Sequence, residues 1–329
     1  MIKNLLIYIF NKRYAGKELW FCNRIFEDIS FMPEPVNKCC HSTRMPYSPP
    51  MMYREHLNKF NFTDWLTKLD DIMHFNQTGN SPCWGCKFLV KQKVPVYNPK
   101  ESFKFITINH FTKCNSNCIY CGIRHKTQDI RFHLLPVLKQ IIKLKMINKE
   151  VLFNWGGGEP TLCSEFEDIA KYLHSFNFRQ AINSSGILFS QIILDGMKDG
   201  SMSIQISPDA GTEETYFKIK RQNNFNKVWE NIKRYAKANP KLLKVKFILY
   251  PNVNDTYEEI DKWFEEVVKN GVKAVSLSVE QDWYNTHRPA TSPHSSQTSS
   301  FPLPASLTQY LLPVPESGGH RKGIARRRW

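Results

Sequence analysis

The sequence has no long apolar run, and this lack narrows what the protein can be. No stretch of the 329 residues approaches the ~20 uninterrupted apolar residues that a membrane-spanning helix requires. The apolar run at residues 5–10 is not followed by a small-residue cleavage site of the kind that ends a signal peptide. We therefore expect no membrane segment and no secretory leader, a first β-strand near the N-terminus, and a cytoplasmic location.

The chain also lacks an even cysteine count, which a disulfide framework would favour. Its nine cysteines are clustered instead, a pattern that indicates metal binding. They stand at positions 22, 39, 40, 83, 86, 114, 118, 121 and 163. Iron–sulfur clusters are held by thiolates, so this role would require a reducing and oxygen-poor compartment.

Acidic residues are scarce, 30 against 45 basic ones, which gives a formal net charge of +15. A surplus of this size can indicate nucleic-acid binding. The lysines are scattered, however, and the body of the chain has no arginine-rich helix and no basic–aromatic stripe. We therefore expect no nucleic-acid partner, with a bias in residue usage as the simpler explanation of the charge.

Strand and helix patterns alternate from residue 101 to residue 283. The predicted strands are 103–108, 151–154, 178–182, 202–207, 243–250 and 273–279. The predicted helices are 134–146, 164–176, 190–198, 213–238 with an interruption at 221–224, and 256–270. Six βα-type units with short connections predict an α/β fold with a parallel, partial barrel, in which chemistry gathers at the carboxyl ends of the strands.

Three cysteines follow the first of these strands at a Cys-x3-Cys-x2-Cys spacing, as Cys114, Cys118 and Cys121. A short loop with three thiolates can hold three corners of a cubane iron–sulfur cluster, which leaves the fourth iron open to bind a substrate. The alternative is a structural zinc site, for which His125 could supply the fourth ligand.

A glycine-rich turn follows the second strand, as Gly156, Gly157, Gly158 and Glu159. Glycines let a backbone turn sharply and approach a ligand closely. The carboxylate can form a charge-assisted hydrogen bond with an ammonium group. A glycine triplet alone most often marks a turn, but its order after the cysteine loop makes the pair of motifs far more specific.

The pair resembles the signature of the radical S-adenosylmethionine (SAM) enzymes, over residues 101 to 283. The resemblance implies a partial (β/α)6 TIM-like barrel and a 4Fe-4S cluster held by Cys114, Cys118 and Cys121. It implies one-electron reduction of SAM at the cluster, giving methionine and a 5′-deoxyadenosyl radical that abstracts a hydrogen atom from a C–H bond. The electron would come from a low-potential donor of the flavodoxin or ferredoxin type.

The resemblance also assigns the SAM-binding side chains. It implies contact with the adenine for Tyr120, with the methionine amino group for Glu159 in the turn of Gly157 and Gly158, with the ribose for Ser207 and Asp209, and with the SAM carboxylate for Lys220. Arg221 competes with Lys220 for the last role. A packing residue, a turn cap or a solvated helix charge is the alternative at these positions, and Cys163 is predicted to be a small buried residue.

Five further cysteines precede the barrel, and their order resembles the SPASM-type auxiliary-cluster module. They are Cys22, Cys39, Cys40, Cys83 and Cys86, with an aromatic-containing helix near residues 64–74 before the final Cys-x2-Cys. In that family the module follows the barrel, whereas here it precedes it, which leaves the ligand set open. The resemblance implies a second iron–sulfur cluster. The alternative is a zinc site built from Cys39 or Cys40 with Cys83, Cys86 and either Cys22 or His41.

Three regions are therefore predicted: a cysteine-rich metal module at 1–100, the barrel at 101–283, and a tail at 284–329. Lysine far outnumbers arginine up to residue 284 and the ratio reverses beyond it, in a Ser-, Thr- and Pro-rich segment that we expect to be disordered. The predicted substrate is a peptide or protein side chain. A sugar, nucleotide or RNA base is the alternative, as is a truncated or fused chain that binds a cluster without catalysis.

Overall fold

A largely parallel β-sheet with helices packed on one face organises the protein. The computed structural model describes residues 2–33, 36–37, 60–79, 81, 83–84, 86, 88–123, 128–130 and 132–279. The strands are β1 (Glu18–Phe21), β2 (Asp28–Phe31), β3 (Val36–Asn37), β4 (Val90–Lys93), β5 (Phe103–Ile108), β6 (Ile147–Trp155), β7 (Arg179–Ser184), β8 (Met202–Ile206), β9 (Leu243–Leu249) and β10 (Val275–Val279). The helices are α1 (Ile2–Tyr14), α2 (Arg24–Glu27), α3 (Phe62–Thr78), α4 (Leu134–Lys143), α5 (Phe166–His174), α6 (Gln191–Asp199), α7 (Glu213–Lys220), α8 (Phe225–Ala238) and α9 (Tyr257–Lys269).

The strand order in the main sheet is β10-β9-β8-β7-β6-β5-β2-β3. All neighbours are parallel except β3, which runs antiparallel to β2. The sequential strands from β5 to β10 lie side by side, and each connection between them contains at least one helix. The predicted α/β fold with a partial TIM-like barrel is confirmed, and β2 adds a seventh parallel strand to the six that were predicted.

Alternation along the strands separates an apolar outer face from a polar inner face. On the outer face, the Trp155 ring of β6 packs edge-on against Phe166 of α5, with ring centroids 4.9 Å apart. Phe247 of β9 packs against Trp263 of α9 in the same way at 5.0 Å. The alternate residues of these strands lie on the opposite face, are half-buried and include many polar side chains. This face turns away from the helices and lines the inside of the partial barrel.

The predicted interruption near residue 221 is a clean break between two helices. Arg221 takes a left-handed backbone conformation at φ 56° and ends α7, and α8 begins four residues later. The last turn of α7 is therefore free to meet the loop that follows β5. This break places Lys220 at the carboxyl edge of the sheet.

The prediction of a first strand near the N-terminus was wrong, because this region is helical. Residues 2–14 form α1, whose Phe10 and Tyr14 are buried one helical turn apart. Tyr14 and Arg13 both contact Asp70 of α3, so helix-on-helix packing decides the local structure. β1 pairs with β4 in a separate antiparallel two-stranded sheet.

Throughout the described part of the chain, each helix is too short or too polar to cross a membrane. The predicted tail at 284–329 lies outside the described residues, as do Cys39, Cys40, His41 and His125.

Candidate active site

The predicted site residues gather at the carboxyl edge of the main sheet. The cysteine loop follows β5, the glycine turn follows β6, and Ser207 and Asp209 follow β8. Lys220 reaches the same edge from the end of α7. In parallel α/β sheets this edge is where ligands bind, since the loops that leave the strands converge there.

The backbone of the cysteine loop is hydrogen-bonded to the last turn of α7. The backbone N–H of Asn117 donates to the Lys220 carbonyl at 3.0 Å, and that of Ile119 donates to the Ile219 carbonyl at 3.0 Å. These bonds satisfy carbonyls that the end of a helix would otherwise leave without partners. All three cysteines are half-buried, and the Ser116 N–H lies 3.4 Å from the Cys114 sulfur.

The donor set of this loop fits an iron–sulfur cluster. Burial raises the pKa of Cys114 to about 11, and burial also raises the pKa of Cys118. Both thiols interact electrostatically with Cys121, so the three sulfurs share one environment. A bound metal has the opposite effect on these pKa values, because its positive charge favours the deprotonated, coordinating thiolates.

No three Cys, His, Asp or Glu side chains in the described ranges are arranged around a single metal ion.

Two glycines bring the second motif against the first. Gly157 has a φ of 83°, and a Cβ on Gly158 would lie 2.2 Å from the Lys113 carbonyl oxygen. Both positions therefore require glycine, the first for its backbone conformation and the second for close approach. Glu159 donates its N–H to the same Lys113 carbonyl at 2.8 Å, directly beside Cys114.

Glu159 is 1% exposed, and its carboxylate is surrounded by hydrogen-bond donors. Oε1 accepts from the Thr161 hydroxyl at 2.7 Å and the Ser184 hydroxyl at 2.9 Å, and Oε2 accepts from the Ser185 N–H at 2.6 Å. Among the ion pairs of the described residues, none involves Glu159. A buried carboxylate held by neutral donors and without a cation can accept a further, charged donor.

Tyr120, Asp209 and Lys220 form a second buried cluster on the other side of the cysteine loop. Lys220 Nζ donates to Asp209 Oδ2 and to the Tyr120 hydroxyl at 2.7 Å, and the Tyr120 hydroxyl also donates to Asp209. The second carboxylate oxygen, Asp209 Oδ1, accepts from the Ile248 N–H at 2.7 Å. Asn254 completes the cluster by donating to the Asp209 carbonyl at 2.7 Å.

The charges in this cluster stabilise one another. Burial alone would lower the pKa of Lys220, but the Asp209 carboxylate raises it well above its usual value. Burial, together with Asp209, raises the pKa of Tyr120. The charged form of Lys220 is therefore favoured, and it pairs with Asp209.

Residues 108–265 match the family model described as the radical SAM superfamily. The chain carries a radical SAM domain. The matched segment begins at the last residue of β5 and ends within α9, and so includes both motifs.

Curated relatives of the radical SAM domain are named GTP 3′,8-cyclase. The protein of Clostridium acetobutylicum is 30% identical over 163 residues, which are 47% of this chain and 50% of that protein. The protein of Haemophilus influenzae strain PittEE is 26% identical over 190 residues, 53% of this chain and 56% of that protein. The chain thus spans about half the length of the curated relatives it matches.

Among solved structures, Streptococcus suis SuiB bound to precursor peptide SuiA aligns at a TM-score of 0.47 and 12% identity, over 55% of this chain and 40% of that chain.

Within the radical SAM domain, the predicted residues fall into two groups. Glu159 lies with the glycine turn and the cysteine loop, whereas Tyr120, Asp209 and Lys220 bind one another. Ser207 is half-buried just beyond β8. Cys163 is buried, and burial raises its pKa to about 12.

Several residues of the radical SAM domain were not predicted as site residues. Thr161 and Ser185 bind the Glu159 carboxylate, and the Ser185 hydroxyl also donates to Asn115 in the cysteine loop at 2.9 Å. Tyr250 lies beside Tyr120, with ring centroids 6.5 Å apart. Their place in the sequence could have identified Ser185 and Tyr250 as site residues. Each directly follows the end of a strand, and so lies at the carboxyl edge of the sheet.

The structure describes three of the five N-terminal cysteines. β1 leads into Cys22, and the turn with Cys83 and Cys86 precedes β4. Because Phe21 pairs with Val90, the end of β1 and the start of β4 are adjacent, which brings the three cysteines to one end of this two-stranded sheet.

Proposed function

We propose that the protein is a radical SAM enzyme in which Cys114, Cys118 and Cys121 hold a 4Fe-4S cluster and Glu159 binds the amino group of SAM. The observation that supports this most is the direct contact between the two motifs. Glu159 is bonded through its backbone to Lys113, beside Cys114, and its charge acts on the Cys114 thiol. A single loop-to-loop contact thus positions a cluster ligand and a SAM ligand together.

The residues of the site have the chemistry that a SAM ligand needs. When bound, the cluster and SAM supply the 5′-deoxyadenosyl radical that abstracts hydrogen. Glu159 offers a buried carboxylate for the ammonium group, and Ser207 offers a hydroxyl for the ribose. Tyr120 and Tyr250 present aromatic rings for the adenine. In this proposal Lys220 and Asp209 hold the cysteine loop and Tyr120 in place, and they also border the SAM site.

The substrate remains within two proposed classes. A peptide or protein side chain is the class implied by the SPASM-like order of the N-terminal cysteines. A nucleotide is the second class, favoured by the printed name of the curated relatives. In either case the electron would come from a flavodoxin- or ferredoxin-type protein.

Replacement of single cysteines tests the cluster proposal. After anaerobic reconstitution, the protein is expected to bind close to four irons at this site and to produce 5′-deoxyadenosine from SAM with a chemical reductant. Cys114→Ala, Cys118→Ala and Cys121→Ala should each abolish 5′-deoxyadenosine. Cys163→Ala is the matched control, since this buried cysteine lies just past the glycine turn, and it should retain both iron and product. Production of 5′-deoxyadenosine by any of the three variants would disprove the assignment.

We further propose that Cys22, Cys83 and Cys86, with Cys39 or Cys40, bind a second iron–sulfur cluster. The triple variant that lacks Cys114, Cys118 and Cys121 isolates this site. Iron and a thiolate-to-iron absorbance near ~400 nm should remain in it. If that variant contains one zinc ion and no iron, the N-terminal region is a zinc site and the comparison with SPASM modules fails.

A further inference from the structure

The inner face of the barrel carries a row of polar side chains that the proposed chemistry does not use. Asn154 of β6, Asn183 of β7 and Gln205 of β8 are half-buried and joined in sequence. Asn183 Nδ2 donates to Asn154 Oδ1 at 3.2 Å, and Gln205 Nε2 donates to Asn183 Oδ1 at 3.2 Å. Each side-chain amide thus donates to the amide of the preceding strand, so the hydrogen bonds run in one direction across three strands.

The row continues onto two lysines of β9. Gln205 is in register with Lys244, and the next inner-face residue of β9, Lys246, is in register with Ser276 of β10. Both lysines are half-buried. Among the ion pairs and side-chain hydrogen bonds of the described residues, neither ammonium group has a partner.

Lys244 and Lys246 are two residues apart on the same face of β9, and Lys246 interacts electrostatically with the Asp209–Lys220 pair. Burial lowers the pKa of Lys246, Asp209 opposes this effect, and the charges of Lys220 and Lys244 lower the pKa further. Since Asp209 is already paired with Lys220, the group carries two uncompensated positive charges. Half-buried charges without a partner are unfavourable, so a ligand that neutralised them would bind with a gain in stability.

We propose that Lys244 and Lys246, with Gln205 and Ser276, bind a phosphate group of the substrate. This rests on the proposed function, because the phosphate belongs to the substrate of the radical SAM reaction, and both lysines lie on the face of β9 that lines the inside of the partial barrel. Two ammonium groups beside an amide and a hydroxyl match an anion that has several acceptor oxygens. The inference selects a phosphorylated small molecule as the substrate class.

Binding to the reconstituted holoprotein tests this site. Isothermal titration calorimetry would use inorganic triphosphate, GTP and guanosine as probes. Triphosphate and GTP are expected to bind, with affinity that falls as salt rises, and guanosine is expected to bind at least ten-fold more weakly. Lys244→Met and Lys246→Met keep most of the side-chain length, and each should weaken triphosphate binding by about ten-fold or more. Lys241→Met is the matched control, because Lys241 is exposed just before β9, and its binding should be unchanged.

Three results would overturn the proposal. The first is equal triphosphate affinity in the wild type and the two β9 variants, or no binding by the wild type. The second is a Lys246→Met variant that loses affinity for SAM, which would assign the lysine to the SAM carboxylate. The third is lysine-dependent binding of an acidic peptide but not of phosphates. Production of 5′-deoxyadenosine is measured on the same preparations, so a failure of the proposed function is seen apart from a failure of the phosphate site.

Discussion

At the scale of single residues, the site contains two buried carboxylates with opposite partners. Glu159 is held by neutral donors, whereas Asp209 is paired with the Lys220 ammonium group. The resemblance predicted that both carboxylates and Lys220 contact SAM. A carboxylate that already has a cation has less to gain from a second one, and this difference makes Glu159 the stronger candidate for the SAM ammonium group.

Replacement of Glu159 tests that distinction. Glu159→Gln keeps the size of the side chain but removes its charge, so the charge-assisted hydrogen bond to SAM is lost. Such a bond contributes about 1.5–3 kcal/mol, equivalent to a roughly ten- to hundred-fold weaker SAM affinity. Iron content should stay unchanged because Glu159 is not a cluster ligand. Equilibrium binding of SAM measures the effect, and an unchanged affinity would mean that Glu159 only shapes the turn.

Replacement of Lys220 should act on stability instead. The side chains of Lys220 and Asp209 are 6% and 0% exposed, so Lys220→Met leaves a buried charge without its cation. We expect a loss of about 3–5 kcal/mol in the free energy of unfolding. The double variant Lys220→Met, Asp209→Asn should recover part of this loss, because no charge is then left unpaired. Urea titration measures both variants, and equal losses in the two would contradict this explanation.

The sign of the pH dependence follows from the direction of the pKa shift. The pKa of Lys220 is raised in the folded protein, so the stabilisation from the pair is complete below the usual lysine pKa. It is lost only as the pH rises through the folded-state value. Measurements near neutral pH therefore report the full effect of Lys220→Met.

At the scale of secondary structure, local periodicity predicted the elements of the barrel well. It failed for elements whose structure depends on contacts with residues far away in the sequence. The strands β5 to β10 and the break between α7 and α8 were predicted within a few residues, since alternating and helical patterns are local. α1 was predicted as a strand, because its apolar run at residues 5–10 has no clear period and its packing on α3 decides the fold. β2 was not predicted, because only its pairing with β5 makes those four residues a strand.

The contact between the glycine turn and the cysteine loop is the element-level feature that most affects the site. Gly158→Ala would place a Cβ 2.2 Å from the Lys113 carbonyl and force the two loops apart. We expect both lower iron content after reconstitution and loss of SAM cleavage. Gly200→Ala is the control: it is strained by a φ of 88° but has open space around the added Cβ, so its iron content should match the wild type. Normal iron content in Gly158→Ala would show that the loops can separate without harm.

At the scale of the whole molecule, the site depends on residues that are far apart in sequence. Asn117 is bonded to Lys220 and Ser185 to Asn115, so the cysteine loop is assembled by α7 and by the loop after β7. The motifs could be read from the sequence because each is a short, contiguous pattern. The resemblance named Tyr120, Asp209 and Lys220 as site residues, but the sequence did not predict that they bind one another. The inner-face lysines were not predicted at all, because only the fold places them on one face of β9.

The last whole-molecule prediction concerns the segment after the barrel. β10 ends at Val279, and the Ser-, Thr- and Pro-rich composition beyond residue 284 offers little apolar surface to offset an ordering cost of ~1–2 kcal/mol per residue. A chain that ends at Tyr284 should therefore match the full chain in thermal stability, iron content and production of 5′-deoxyadenosine. A shortened chain that unfolds at a lower temperature or loses iron would show that the segment packs on the barrel. If it keeps its cluster and cleaves SAM but no longer modifies its substrate, the arginine-rich end recruits that substrate.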